Sequence, residues 1–358
     1  NSGREPLGFI DKWNTDNDPI GITTRGAGVG SITWQEGKYY RGNLNYSVSI
    51  KDDAHLETKF LLHLLLHMQR EIQDLCTYDG IPALNAGNLK QLLIPIPCPD
   101  NPAKSLEIQA EIVRILDTFT ELTTELTTEL TTELTNRKKQ YNYYRDQLLT
   151  FDEGDVPHLP MGDERIGKFT RGGGLQKKDF VDEGVGCIHY GQLYTHYSTY
   201  AHKTKTFVTE EFSKKARMAK QGDVVIATTS ENDEDVCKAV AWLGYDDIAV
   251  SSDACFYTHN LNPKYVSYFF QTNDFQKQKR IYITGAKVRR VNADKLAKIL
   301  IPVPSSAEQA RIVAILDKFD TLTNSISEGL PKEIELREKQ YAYYRDLLFN
   351  FPKPEGVV

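Results

Sequence analysis

Two pairs of matching stretches, each pair 200 residues apart, limit the possible folds of this chain more than any other feature. Ile112-Val-Arg-Ile-Leu-Asp-Thr-Phe119 is matched by Ile312-Val-Ala-Ile-Leu-Asp-Lys-Phe319. Lys139-Gln-Tyr-Asn-Tyr-Tyr-Arg-Asp146 is matched by Lys339-Gln-Tyr-Ala-Tyr-Tyr-Arg-Asp346 at the same offset. A fixed offset of this size indicates two copies of one domain type in a single chain.

Both copies have the same predicted layout: a mixed, β-rich segment, then a Pro-x-Pro sequence, then a long helical segment. Ile94-Pro-Ile-Pro97 of the first copy corresponds to Ile301-Pro-Val-Pro304 of the second, at an offset of 207. Since proline cannot donate to a β-ladder, we expect each Pro-x-Pro sequence to end a strand. The fold class predicted from this layout is α+β.

The β-rich segments of the two copies differ far more than the helical ones. Ile20-Gly-Ile-Thr-Thr24 resembles Val224-Val-Ile-Ala-Thr-Thr229, and Asn85-Ala86 resembles Asn292-Ala293. Matched against the second copy, the first begins in mid-domain, and we expect about 50 residues to precede Asn1. The two copies therefore share a framework and present different surfaces.

Leucine or isoleucine recurs at every fourth residue in both helical segments. The positions are Leu122, Leu126, Leu130 and Leu134 in the first and Leu322, Ile326, Leu330 and Ile334 in the second. A spacing of four keeps side chains on one helix face. We therefore predict that the two helices pack on each other as an antiparallel pair. The alternative is two amphipathic helices that each pack on their own domain.

The first helical segment contains Thr-Glu-Leu-Thr four times in succession, from Thr120 to Thr135. Threonine is a poor helix former, so this array needs tertiary packing to be helical. A low-complexity linker is the alternative. In the second segment, Gly329-Leu330-Pro331 is expected to interrupt or kink the helix, so the two spacers are not equivalent.

A tyrosine cluster followed by Arg-Asp lies near the end of each helical segment. The cluster residues are Tyr141, Tyr143, Tyr144 and Arg145, and Tyr341, Tyr343, Tyr344 and Arg345. Tyrosines at i, i+2 and i+3 of a helix cannot all face one neighbour. Since Tyr and Arg are frequent interface anchors, we predict that the clusters hold partner subunits or the helix pair, with core packing as the alternative.

The formal net charge of −6 argues mildly against nucleic-acid binding, but the charge is unevenly distributed. Residues 168–220 contain ten Lys and Arg against five Asp and Glu, and residues 277–298 contain eight against one. Residues 221–260 are acidic instead. Alternating basic and acidic segments favour one face for DNA and another for a partner.

Other features count against catalysis, a metal site or a membrane span. The five cysteines form no Cys-x-x-Cys pair, which favours a reduced, cytoplasmic protein without structural zinc. No apolar run reaches the ~18 residues of a membrane span. The glycine-containing residues 25–30 and 170–174 lack the context of a phosphate-binding loop and are interpreted as a turn and a loop. His63 and His67 are interpreted as helix-surface histidines.

Base reading is expected from polar segments of both copies. Gln can pair bidentately with adenine, Arg with guanine, and Thr or Tyr can contact base edges. The candidates are Thr23, Thr24, Arg25, His189, Tyr190, Gly191, Gln192, Tyr194, Thr195, His196, Thr228, Thr229 and Ser230. For residues 188–200, an edge strand with a turn is the alternative.

Phosphate contacts are expected from ten basic side chains, because Lys and Arg supply the salt-dependent part of DNA affinity. These are Lys177, Lys178, Lys203, Lys205, Lys214, Lys215, Arg217, Lys287, Arg289 and Arg290. Some of the lysines are expected to be ordinary solvated surface.

The repeated helical stretches, with Ile188-His-Tyr-Gly-Gln192 and Leu322-Thr-Asn-Ser325, closely resemble the conserved regions of Type I restriction-modification specificity subunits. The resemblance covers essentially the whole chain, and the Thr-Glu-Leu-Thr array is similar to the tetrapeptide spacer of one subfamily. It implies two β-rich target recognition domains separated by two long antiparallel helices with pseudo-two-fold symmetry. The implied segments are a first recognition domain (1–97), a central helix (98–151), a second recognition domain (152–304), a C-terminal helix (305–351) and a tail (352–358).

The resemblance also implies a function. Each recognition domain would read one half of a bipartite, asymmetric site on double-stranded DNA, and the spacer helices would set the gap between the halves. Two modification subunits would supply S-adenosylmethionine and adenine methylation. Restriction subunits would supply ATP- and Mg²⁺-dependent translocation and cleavage. The chain itself would bind no cofactor and catalyse nothing.

Two other classes of protein stay open from the residues alone. A stand-alone enzyme with duplicated domains would preserve paired catalytic residues between the copies, whereas the preserved residues here are of helix and interface types. A duplicated-domain coiled-coil scaffold would not need the clustered Lys and Arg. Salt-dependent DNA binding and methylation with and without a modification subunit separate the three classes.

Overall fold

The computed structural model of the chain describes residues 7–152, 154–324 and 329–351. It is an α+β protein, as predicted, with two compact units. Unit 1 comprises residues 1–129 and 334–358, and unit 2 comprises residues 130–333. Each unit thus combines one β-rich region with a part of both helical segments. The segment boundaries expected from the resemblance stay a prediction.

Unit 1 is built around a small antiparallel sheet. Its strands are β1 (Thr15–Asp16), β2 (Ile20–Thr23), β3 (Ile32–Trp34), β4 (Lys38–Tyr39), β5 (Asn45–Val48), β6 (Cys76–Thr77) and β7 (Ala83–Leu84). Its helices are α1 (Thr58–His67), α2 (Gln69–Asp74), α3 (Ala86–Leu89) and the first part of α4 (Pro102–Leu148). β2 lies between β3 and β5, and its Ile20 and Ile22 are buried with Leu61 and Leu65 of α1.

Unit 2 has two main sheets and two two-stranded ribbons. Its strands are β8 (His158–Pro160), β9 (Gly167–Arg171), β10 (Val185–Ile188), β11 (Tyr200–Ala201), β12 (Thr206–Val208), β13 (Met218–Ala219), β14 (Val224–Ala227), β15 (Thr229–Ser230), β16 (Ala239–Trp242), β17 (Ile248–Val250), β18 (Ala254–His259), β19 (Arg289–Arg290) and β20 (Leu300–Pro302). The larger sheet has the order β11-β16-β14-β18-β9 and the smaller one β12-β10-β17-β13. Apolar side chains from both sheets, among them Ile188, Val225 and Trp242, form one core between them.

The helices of unit 2 pack at different places on its sheets. They are α5 (Tyr190–Thr195), α6 (Glu210–Ser213), α7 (Pro263–Phe269), α8 (Asn273–Arg280), α9 (Ala293–Leu296), α10 (Ser306–Asn324) and the first residues of α11 (Gly329–Leu348). Leu193 lies in the core between the two sheets, and Phe212 packs against the smaller sheet. The helical residues Tyr265, Leu296 and Ile312 cover the other face of the larger sheet. Val224 and Ile226 of β14 share a core with Tyr265 of α7 and with Ile312 and Leu316 of α10. This is the largest core in the described part of the chain, and it fixes the helices on unit 2.

The central strands of the two units are equivalent. β2 pairs with β5 through Ile20↔Val48, and β14 pairs with β18 through Val224↔Tyr257. Both strands are antiparallel to their partners, and each is followed later in the chain by a short helix that starts after an asparagine, α3 or α9. The weak sequence similarities between the copies therefore mark real structural equivalence.

The first helical segment is one continuous helix of 47 residues, α4, and it includes the whole Thr-Glu-Leu-Thr array. The alternative of a linker is thereby excluded. The second segment is described as α10 and α11, and Gly329 has φ +78°, which is not helical. The predicted interruption at Gly329-Leu330-Pro331 is confirmed at this residue.

Within each unit, one helix end runs antiparallel to the other helical segment. In unit 1, Phe349 packs with Ile112 and Leu116, while Tyr344 stacks on Phe119. In unit 2, Leu149 and Tyr141 share a core with Ile312 and Leu316, while Tyr144 stacks on Phe319. The predicted antiparallel packing is thus present in both units.

The spacer face predicted for this packing is only partly buried. Leu122 is 56% exposed, and Ile326 lies outside the described residues. The other positions, Leu126, Leu130, Leu134, Leu322, Leu330 and Ile334, are half-buried. Their role in packing stays a prediction.

Three local predictions are wrong. Ile94–Pro97 of the first copy ends no strand. The equivalent residues of the second copy include strand β20, which pairs with β8. The described residues of unit 1 contain no counterpart of β8. Thr170 and Arg171 belong to strand β9, because they pair with β18. His63 was predicted to lie on the helix surface but is buried, and its Nε2 lies 2.9 Å from the carboxylate of Asp117. Among the described residues, no helix combines the length and apolar character of a membrane span.

Candidate nucleic-acid interface

The ends of the two central strands lie in equivalent surroundings. The carbonyl of Thr24 accepts a hydrogen bond of 2.8 Å from the amide of Leu84, and the carbonyl of Thr228 accepts one of 3.1 Å from Val291. Beyond these bonds, Arg25 forms a bridge with Ala83, and Thr229 pairs with Arg290. In each unit the chain thus leaves the core and enters a short two-stranded ribbon at the surface.

The threonines predicted to read bases lie on the inner side of this transition. Thr23, Thr24, Thr228 and Thr229 are all buried, with exposed fractions of 8% or less. This burial leaves their hydroxyl groups little exposed, and their part in base reading stays a prediction. Of this group of candidates, only Arg25, which is exposed, and Ser230, which is half-buried, reach the surface.

The segment from His189 to His196 consists of helix α5 with its two cap residues, so the alternative of an edge strand with a turn is wrong for these residues. The amide of Gly191 donates to Nδ1 of His189, and the amide of His189 donates to the side chain of Gln192, which closes a capping box. The Gln192 amide nitrogen also donates to Thr206 at 3.0 Å. Gln192 therefore holds α5 in place and, unless these bonds break, is not free to pair with adenine.

Tyr194 also has an internal role. Its hydroxyl donates a 2.8 Å hydrogen bond to the carbonyl of Thr229, and burial raises the pKa of Tyr194. Burial also lowers the pKa of His189, and the nearby Lys177 lowers it further, which favours the neutral ring. Among the α5 candidates, Thr195 and His196 are exposed, and Tyr190 and Gly191 are half-buried.

Next to the unit 2 ribbon lies the acidic loop, residues 231–235. Two nitrogens of the Arg289 guanidinium, Nε and Nη2, donate to the carboxylate of Asp233, and Nη2 lies 2.9 Å from Oδ2. The same guanidinium donates to the carbonyl of Gly285. Its hydrogen bonds hold the pKa of Asp233 below the usual range. Arg289, predicted to bind phosphate, is therefore engaged within the unit.

A buried lysine holds the same loop from the interior of the unit. Nζ of Lys279 donates to the carbonyls of Glu234 at 3.0 Å and Val236 at 2.8 Å, and the residue is 1% exposed. Burial lowers the pKa of Lys279. The sequence offered no signal for this role or for that of Asp233, since each partner lies more than 40 residues away.

The other basic candidates are at the surface. Lys177, Lys178, Lys203, Lys205, Lys214, Lys215, Arg217, Lys287 and Arg290 are exposed. Arg217 donates to the carbonyl of Arg171 and Arg290 lies 3.4 Å from Asp253, while Lys287 makes no ion pair with any described residue. Their accessibility fits phosphate binding, which stays a prediction.

The tyrosine clusters divide into buried and exposed members. Tyr141 and Arg145 are buried, and the Tyr141 hydroxyl donates to Gln271 at 2.8 Å, so for these two the alternative of core packing is the one found. Tyr143 is 59% exposed and Tyr343 is 64% exposed. Tyr144 and Tyr344 stack within the chain as described, and Tyr341 and Arg345 are half-buried. Within the two clusters, only Tyr143 and Tyr343 expose more than half of their surface, and their contact with a partner stays a prediction.

One glutamine and one aspartate on α4, and their equivalents on α10, anchor the units, and sequence reasoning missed them. Gln109 accepts from the amide of Glu57 at 2.9 Å, and Gln309 accepts from the amide of Asn262 at 2.8 Å. Asp117 then binds Lys59 and His63, while Asp317 binds Lys264 and Tyr268. Identity at an offset of 200 was the signal that could have revealed them.

The amino-acid sequence of this chain is similar to those of a known protein family and of several characterised proteins. Over residues 1–136 and 176–336 the sequence matches the family described as Type I restriction modification DNA specificity domain. It is 45% identical over 277 residues to the Type I restriction enzyme EcoR124I/EcoR124II specificity subunit of Escherichia coli, across 75% of this chain and 66% of that protein. It is 33% identical over 277 residues to the EcoprrI specificity subunit of Escherichia coli, across 76% of this chain and 63% of that protein. The chain spans just under two thirds of the length of these relatives.

A solved structure gives an independent comparison of the fold. A chain from a structure concerned with complex assembly and conformational transition of the type I R-M system superimposes with a TM-score of 0.63. The superposition covers 93% of this chain and 82% of that chain at 14% identity. At this identity the similarity establishes the fold alone.

Proposed function

Since this chain belongs to the family of Type I restriction modification DNA specificity domains, we propose that it reads the DNA sequence for a methyltransferase carried by other chains. Each unit reads one half of a bipartite, asymmetric site through the ribbon at the end of its central strand. The observation that carries the proposal is the repeated framework: the same anchors and strand ends recur in both units, while the residues displayed there differ.

The chemistry of the assembly belongs to partner subunits in this proposal. Two modification subunits bind S-adenosylmethionine and methylate adenine, and restriction subunits bind ATP and Mg²⁺ and cleave DNA in the cytoplasm. Exposed Tyr143 and Tyr343 occupy equivalent positions in the two units, which fits two identical subunits docking on this chain. The lysines exposed on unit 2 supply the non-specific part of DNA affinity.

The test is methylation by the full chain with and without the modification subunit, followed by mapping of methylated adenines in cells that carry both. We expect methylation only with both chains, at one bipartite site. Methylation by this chain alone would identify an enzyme instead. DNA binding that is absent or independent of salt concentration would favour a scaffold.

A further inference from the structure

Each unit carries a short hairpin that closes over the end of its central strand. The first hairpin runs from Thr77 to Ala83, which pair with each other, and the second runs from Thr284 to Arg290, which pair in the same way. The two hairpins have the same length and lie 207 residues apart. The two tip loops are residues 78–82 and 285–289.

The fourth residue of each tip loop is an aliphatic side chain turned to the surface. Ile81 is 62% exposed and Val288 is 53% exposed. A single exposed aliphatic residue needs no explanation. Two at the same position of two diverged domains, each at the tip of the ribbon that extends the central strand, indicate a shared role.

The tip loops are held in fixed conformations. Gly285 has φ +90°, and a Cβ atom there would lie 2.1 Å from the carbonyl of Val288, so only glycine allows the turn. Arg289 binds Asp233 and thereby ties the loop to the acidic loop. In unit 1 the amide of Gly26 donates to the carbonyl of Pro82 at 2.9 Å. A fixed loop presents its aliphatic side chain without an ordering cost.

An unpaired cation accompanies each aliphatic residue. Lys287 precedes Val288, and Arg25 forms its bridge with Ala83, two residues beyond Ile81. Neither cation makes a hydrogen bond or ion pair through its side chain with any residue that the structure describes. An aliphatic group beside a free cation suits DNA, whose phosphates attract the cation and whose major groove offers one apolar group, the C5-methyl of thymine.

We propose that Ile81 and Val288 are specificity-determining residues, each of which contacts the C5-methyl group of a thymine in the half-site read by its unit. This rests on the proposed function. Contact with a partner protein would require no thymine, and insertion between bases would not depend on the methyl group.

The test uses the complete complex with its modification subunits and duplexes of the mapped site in which thymines are replaced one at a time by deoxyuridine. For the wild type, one replacement in each half-site should lower methylation efficiency about three- to fivefold, as for loss of one buried methyl group. Val288→Ala should remove the sensitivity in one half-site only, and Ile81→Ala in the other only. Val288→Ile should retain it.

Leu93→Ala and Leu300→Ala are the matched controls. These leucines are also exposed and 207 residues apart but lie outside the tip loops, so their variants should keep the wild-type sensitivity. The inference is wrong if wild-type methylation is unaffected by every thymine replacement, or if both alanine variants keep the wild-type sensitivity. In either case, methylation that is still specific for one site supports the proposed function. Reduced complex assembly with unchanged sensitivity assigns the tips to a protein partner instead. A wild-type complex without sequence preference would remove the proposed function itself.

Discussion

Units 1 and 2 use the same polar anchors but differ in the face of the sheet that lies away from the helices. Gly21 and Thr23 of β2 occupy the places of Val225 and Ala227 of β14. Val225 and Ala227 are buried against the smaller sheet, whereas the buried hydroxyl of Thr23 has no hydrogen-bond partner among the described residues. The helix-facing side is therefore constrained by packing, and divergence is concentrated on the other side.

In the proposed function, this difference separates the part of the molecule that sets the geometry of the units from the part that sets their selectivity. The pairs Phe119–Tyr344 and Tyr144–Phe319 stack at centroid distances of 5.2 and 5.7 Å, so both units hold the helices alike. A change in the helices should therefore move both recognition surfaces without altering them, and a change within one unit should leave the other intact.

Deletion of Thr132 to Thr135, one tetrapeptide of α4, should have the largest effect. It shortens a helix by about 6 Å and removes roughly 40° of rotation beyond one full turn. One base pair of DNA corresponds to about 3.4 Å and roughly 34–36° of rotation. Because a unit facing the wrong side of the groove loses its base contacts, rotation should decide. We expect methylation of the original site to be lost.

The new site should keep both half-site sequences and have a gap shorter by one base pair. Mapping of methylated adenines in cells measures this directly. An unchanged gap would mean that the array is only a tether, and altered half-sites would contradict the independence of the two units.

Lys279→Met should destabilise unit 2 selectively. It removes the donor from the carbonyl of the buried Val236 and from that of the exposed Glu234, at a cost of about 1–3 kcal/mol in the free energy of unfolding. Urea unfolding with hydrogen exchange resolves the two units. The exposed Lys277→Met is the control, and equal protection of unit 2 in both variants would show that the acidic loop needs no support.

His259 should make unit 2 sensitive to acid. Burial lowers its pKa to about 4, its Nδ1 accepts from the amide of Leu261, and its buried Nε2 has no partner among the described residues. Because the unfolded chain takes up the proton at higher pH, stability is complete above about pH 6.5 and falls as the pH drops toward 4. The loss should reach up to about 3 kcal/mol.

In unit 1 the register of β5 places Ile50, two residues beyond the end of the strand, at the position equivalent to His259, and isoleucine cannot titrate. Unit 1 should therefore not share this acid dependence. His259→Asn keeps an acceptor for Leu261 and should give a flat profile between pH 6.5 and 4 in chemical denaturation. A slope that survives in this variant would assign the dependence to other groups.

Loss of one helix-pairing tyrosine should have the smallest effect. Tyr344→Ala removes the stacking on Phe119 and Tyr144→Ala that on Phe319, each at a cost of about 1 kcal/mol. Both should lower the yield of the assembled complex on gel filtration while each recognition region stays folded. Tyr344→Phe should retain the yield. Clearly unequal losses in the two alanine variants would show that the anchors are not equivalent.

The sequence alone determined the elements that depend on neighbours along the chain. The 200-residue repeat, the helical array and the interruption at Gly329 follow from local spacing and backbone preference, which tertiary contacts did not override. The β-rich character of both copies was predictable for the same reason. The equivalence of Asn85 and Asn292 was visible because both precede a short helix.

Only the tertiary structure decided which polar residues are available at the surface. Thr228 and Gln192 have suitable side chains for base reading, yet one is buried at a strand end and the other closes a helix cap. Arg289 and Lys279 look like members of one basic stretch, but Asp233 and two loop carbonyls bind them. A sequence pattern records side-chain chemistry, whereas burial and partnership arise from residues brought together across long separations along the chain.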